Sequence, residues 1–80
     1  MADDDIQAVI EELVAEEHRL LDTGEERALT QDEHARLRDV QVQLDRFWDL
    51  LRQRRAVRAA GRDPDDASLR DAGTVEGYQQ

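Results

Sequence analysis

Apolar residues at Ile6, Val9, Ile10, Leu13, Val14, Leu20 and Leu21 recur mostly every three or four positions, with one interruption at Glu16-Glu17. That spacing gathers side chains along one side of an α-helix. Asp3, Asp4 and Asp5 are expected to supply the N-cap and negative charge that a first turn attracts through its unpaired amides. Gly24, just past the last apolar residue, is expected to end this helix.

A second helix is announced by Thr30-Gln31-Asp32-Glu33. These residues have the form of a capping box, in which the Thr hydroxyl and the Glu carboxylate each bond the other residue's backbone amide. Behind it, Leu37, Val40, Leu44, Phe47 and Leu51 make a 3-4-3-4 seam, with Trp48 and Leu50 on its flanks. Neither Pro nor Gly intervenes before Gly61, so the helix should run for about 30 residues, roughly 45 Å. A short polar connection makes the two helices an antiparallel hairpin.

The hairpin is unequal. If residue 22 lies opposite residue 31, Ile6 falls near residue 47, and the second helix overhangs beyond Trp48. Leu50, Leu51 and Val57 in that overhang would face water unless the C-terminal segment folds back over them or a second chain covers them. After Gly61, Asp63-Pro64-Asp65-Asp66 reads as an N-cap, a Pro at the first helical position and two first-turn acids, which predicts a short third helix over roughly 64–71. Residues 72–80 are too polar and Gly-rich to suggest a helix. Val75 and Tyr78 are their candidate anchors, for a docked strand-like tail or a disordered one. The expected fold is therefore all-α: an antiparallel hairpin over 1–62, then a short helix and extended tail over 63–80 within the same domain.

Composition changes this picture in one respect. Charged residues make up 39% of the 80-residue chain and the net charge is -9, which alone would suit disorder, but the apolar residues are periodic. The charge is also segregated, at net -8 over residues 1–27, +3 over 28–62 and -4 over 63–80. One chain thus carries complementary surfaces. Cysteine is absent, which excludes disulfides and thiolate metal sites. No segment approaches the roughly 20 apolar residues that span a bilayer, so a cytoplasmic protein without membrane partners is expected.

Candidate chemistry is sparse. His18 and His34 come near each other in the hairpin register, but the residues three before them are Ala15 and Gln31, not the Glu of a helical-bundle metal site. They read as boundary histidines, and no metal or other cofactor is expected. The carboxylates read as solvated helix faces, since acid–base work needs a pocket that shifts a pKa. The four Gly are scattered and form no phosphate loop.

The basic stretch RFWDLLRQRRA, residues 46–56, is the exception. Its arginines could neutralise phosphates, yet the whole protein is acidic. Arg55, Arg58 and Arg62 continue the seam's spacing past Leu51, which points them at whatever packs there. Ion pairing with first-helix acids, in the same chain or a second one, is the favoured role. Phe47, Trp48, Leu50, Leu51, Arg54, Arg55, Val57 and Arg58 are the expected interface residues, with Trp48 at the junction.

The segments EELVAEEHRLL, LTQDEHARLR, LDRFWDLLRQRRA, GRDPDDA and VEGY together resemble a family of short bacterial proteins catalogued as domain of unknown function 2630. The likeness covers nearly the whole chain, and WDLLRQRRA and the terminal VEGY are its most distinctive parts. It implies a small helical protein. The family has no established activity, so no catalytic or binding residue is carried across.

From the residues, the expected function is a non-enzymatic helical adaptor that meets protein partners. It is expected to self-associate through the second helix as a homodimer, two hairpins forming a four-helix bundle. The alternative is a regulator that binds or mimics nucleic acid.

Overall fold

Thr30 occupies the cap position that the capping box assigned to it. Its hydroxyl accepts from the Glu33 amide at 3.1 Å, and its own amide donates to Glu33 Oε1 at 2.9 Å. In the computed structural model, which describes residues 2–76, this cap opens helix α2, Gln31–Ala59, antiparallel to helix α1, Asp3–Glu26. A single 3-10 turn, Pro64–Asp66, and a short helix α3, Ala72–Glu76, follow. The fold is all-helical, with no strand among the described residues.

The helix ends differ from the sequence expectation at two places. Asp3 is the first helical residue rather than the cap. Ala2 sits in the cap position, and its amide donates to Asp5 Oδ2 at 3.1 Å, half of a capping box. At the other end α1 runs through Gly24 to Glu26. Gly24 is not needed as a left-handed stop there, because Thr23 closes the last turn by accepting from the Arg27 amide at 3.0 Å. Arg27 then clamps Glu33 with two bonds of 2.8 Å, tying the end of α1 to the start of α2 across a short connection. Gly61 does adopt the left-handed conformation, with φ 75°. It ends α2 in a Schellman motif, where the Arg62 amide bonds the Val57 carbonyl at 2.9 Å and the Gly61 amide bonds that of Arg58 at 3.0 Å.

Of the predicted helix over 64–71 only the 3-10 turn Pro64–Asp66 forms, and the short third helix, α3, begins at Ala72. Asp63 and Pro64 act as cap and first residue, with the Asp65 amide donating to Asp63 Oδ1 at 3.0 Å. The expectation that residues from 72 onward are non-helical is corrected by Asp71. Its carboxylate accepts from the Thr74 amide at 2.9 Å and the Thr74 hydroxyl at 3.0 Å, a local cap that outweighs Gly73. Val75 is 2% exposed and serves as the expected anchor; Tyr78 lies outside the described residues.

Ile6 and Ile10 of α1 pack with Val40, Leu44, Leu50 and Leu51 of α2 in one buried cluster, flanked by Leu13, Val14, Phe47 and Ala67. Ile6, Val40 and Leu51 are almost wholly enclosed, and each such side chain contributes roughly 1.5–3 kcal/mol through burial. Leu21, read as part of the α1 stripe, is instead 45% exposed. The 3-10 turn and α3 both pack on α2. Leu50 and Leu51, placed by the sequence in an uncovered overhang, are 6% and 1% exposed within one chain, in a cluster that includes Ile6 and Ile10 of α1 and is flanked by Ala67 of the C-terminal segment.

Candidate interaction surface

Residues 46–58 of α2 divide into three faces. The first continues the seam toward α1. Leu51 is followed on this face by Arg54, not Arg55, since three and four residues on are both near-neighbours on a helix and the position of α1 selects between them. Arg54 Nε donates to Asp3 Oδ1 at 2.5 Å, and Arg58 Nη2 donates to Asp3 Oδ2 at 3.1 Å. A long helical side chain leans toward its helix N-terminus, so these arginines reach back to a carboxylate that the register places near residue 50. The Arg54 guanidinium, aided by Arg58, holds the Asp3 carboxyl below its ordinary range. At the other end of the pair of helices Arg36 grips Glu16, with Nη2 to Oε1 at 2.6 Å, and lowers that carboxyl too.

The second face carries the C-terminal segment. Arg46 Nε donates to the Arg70 carbonyl at 2.9 Å, Gln53 Nε2 to the Ser68 carbonyl at 2.8 Å, and Arg54 Nη1 to the Pro64 carbonyl at 3.1 Å. Arg54 Nη1 also meets Asp65 Oδ1 at 3.0 Å. Buried Asp49 completes the set: its Oδ2 accepts from Gln53 Nε2 at 2.9 Å and lies 3.5 Å from Arg70 Nε. Arg54 and Asp49 are only 6% and 4% exposed, and their multiple partners are what make burying a charge tolerable. Farther along, Glu76 of α3 meets Asp45 of α2. That contact raises the Glu76 carboxyl above its ordinary range, and its Oε1 is buried without a hydrogen-bond partner among the described residues.

The third face is open. Trp48 is 43% exposed, and Arg52 and Arg55, one and two turns farther on, are both exposed. Neither arginine has an ion-pair partner within 4.0 Å among the described residues. Arg62 is likewise exposed rather than directed at the seam. The expected interface set is thus separated. Leu50, Leu51 and Arg54 are buried in their own chain, Phe47 and Val57 are half-buried, Arg58 is tied to Asp3, and Trp48 and Arg55 remain outward.

Of the groups weighed for catalysis or metal binding, His18 and His34 are both exposed. Among the described residues no cluster of three His, Asp or Glu side chains could hold a metal ion, and no pocket forms. No described helix is long and apolar enough to cross a membrane.

The residues that sequence reasoning missed are Asp49, Gln53 and Arg46, with Asp3 and Asp65 as the specific acids. The i,i+4 pair of Asp49 and Gln53 was a visible signal. The carbonyl contacts had none, because every residue type offers the same carbonyl.

With the geometry in view, comparison with known proteins gives a consistent result. The chain is 44% identical over 77 residues to an uncharacterized protein of Mycobacterium tuberculosis and to one of Mycobacterium bovis, covering 95% of this chain and 88% of each relative. No solved structure matches it. The family model described as "Protein of unknown function (DUF2630)" matches residues 2–80, and the chain belongs to that family.

Proposed function

We propose that this is a non-enzymatic helical interaction protein, an adaptor acting in the cytoplasm and able to self-associate, whose docking surface is the open face of α2. The observation that carries this is Trp48 standing 43% exposed beside Arg52 and Arg55, which are exposed and have no ion-pair partner among the described residues. Aromatic and Arg residues supply a large share of binding energy where proteins meet. Elsewhere on α2 the arginines and leucines of the same stretch are engaged within the chain, so the open face is what remains for a partner.

The charge on this face suits an acidic protein surface. Nucleic acid is the poorer fit, because Arg54 and Arg58 are held by Asp3 and the chain as a whole carries -9. The full chain immobilised in native cell extract should retain a partner that is lost from the Trp48→Ala variant and from an Arg52→Ala, Arg55→Ala double variant. Identical retention by all three would overturn the assignment of this face. Binding of duplex DNA that weakens steeply with salt and is lost in the double variant would overturn the protein-partner reading in favour of nucleic acid.

A further inference from the structure

We infer that the occupant of the Trp48, Arg52, Arg55 face is the acidic outer side of α1 from a second copy of this chain, the two copies exchanging the contact about a two-fold axis. This rests on the reading of that face as a docking surface and names what docks there.

Charge carries the choice of occupant. Asp4, Glu11, Glu12, Asp22 and Glu25 on α1 are exposed and have no ion-pair partner within 4.0 Å among the described residues. The unpaired cations Arg52 and Arg55 lie on α2. Within one chain these two sets stay apart, because the sides on which α1 and α2 meet are filled by Ile6, Ile10, Val40, Leu44 and Leu51 and by the Arg54–Asp3 and Arg36–Glu16 pairs. A second copy brings Asp4, from the first turn of α1, to Arg52 and Arg55.

Geometry then selects α1 rather than α2 of the second copy. A two-fold axis parallel to the helices leaves every residue at its own height. Asp3 already reaches Arg54 and Arg58 in its own chain, so Asp4 of the second copy comes level with Arg52 and Arg55. Each α1 would lie between two antiparallel α2 helices, the all-antiparallel form of a four-helix bundle. Packing α2 against α2 through the same face would instead oppose like charges and leave the acids of α1 unused. Leu50 and Leu51 take no part, since their own chain buries them.

Complementary charge reversal in the full chain tests this. One variant carries Arg52→Glu and Arg55→Glu, the other Asp4→Arg, and circular dichroism establishes that both are folded. In sedimentation equilibrium the wild type should rise from the 9.2 kDa chain mass to twice that value with concentration. Each variant alone should dissociate at least tenfold more readily, and an equal mixture should regain the dimer. A wild type that keeps the chain mass at every concentration overturns the second copy as occupant, while leaving the docking face to be judged by partner retention. An α1 variant that dimerises like the wild type, beside an α2 variant that does not, overturns α1 as the occupant and keeps the face. Dimerisation unaffected in either variant overturns both, and a mixture that fails to regain the dimer overturns the charge pairing.

Discussion

Arg54 and Arg55 are neighbours in sequence with the same charge, yet they belong to different faces of α2. Arg54 is 6% exposed and holds Asp3, Asp65 and the Pro64 carbonyl, whereas Arg55 is exposed and holds no described acid. The 100° step between consecutive helical residues makes the difference. It turns one arginine into an internal fastener for α1 and the C-terminal segment, and leaves the other on a surface with Trp48. A basic stretch is therefore not a single functional unit; on a helix each residue must be assigned by face.

The contrast is broken most severely at Leu51, which is 1% exposed at the centre of the inward side. Leu51→Ala should lower stability by about 2–5 kcal/mol in urea unfolding, the range for truncating an enclosed leucine. Next in size, Arg54→Ala should lower the urea midpoint clearly, and Arg55→Ala should leave it in place. Hydrogen exchange should show faster opening of residues 64–76 in the Arg54 variant alone. Equal midpoints for the two would mean that the inward arginine adds no more to stability than the outward one.

Acid sharpens the same comparison. Asp3 has a depressed folded pKa because Arg54 and then Arg58 bond its carboxylate, so its contribution is present above the ordinary Asp value of 3.8 and is lost as pH falls through the lower folded value. Glu33, brought to about 2 by Arg27 and the Thr30 amide, behaves likewise below its ordinary 4.5. In unfolding followed from pH 5 downward, Arg54→Met should lose part of the acid-dependent destabilisation, and Arg55→Met should keep all of it, since Glu33 acts in both. The smallest effect belongs to the open face. Trp48→Ala should change stability by no more than about 0.5 kcal/mol, as exposed substitutions do. The lone Trp of the folded wild type should also emit at a solvent-exposed wavelength, and a blue-shifted emission from the dilute protein would place that ring inside instead.

Particular residues show how far the sequence could be read. The capping box at Thr30 and Glu33 was legible because its partners are three residues apart. Asp63 and Pro64 were legible as cap and first residue for the same reason, though the turn they begin is a single 3-10 turn. Gly24 misled because a glycine permits a helix end without requiring one, and Thr23 and Arg27 closed the helix later. Residues 72–76 misled because Gly73 and polarity argued against a helix, while the Asp71 cap and the burial of Val75 argued for one. Of the candidate surface, Trp48 was read at the flank of the seam and stands exposed there. Arg55 was read as continuing the seam, whereas Arg54 takes that place, since both three and four residues past Leu51 are helical near-neighbours and only the position of α1 selects between them.

By itself the sequence determined an acidic, all-helical hairpin with a long second helix, since periodicity and capping are local and survive without knowledge of the rest of the chain. Only the tertiary structure decided which groups of residues 46–58 are engaged within one chain. Those contacts depend on where α1 begins at Asp3 and where the carbonyls of Pro64, Ser68 and Arg70 fall, and a main-chain carbonyl has no letter of its own in the sequence.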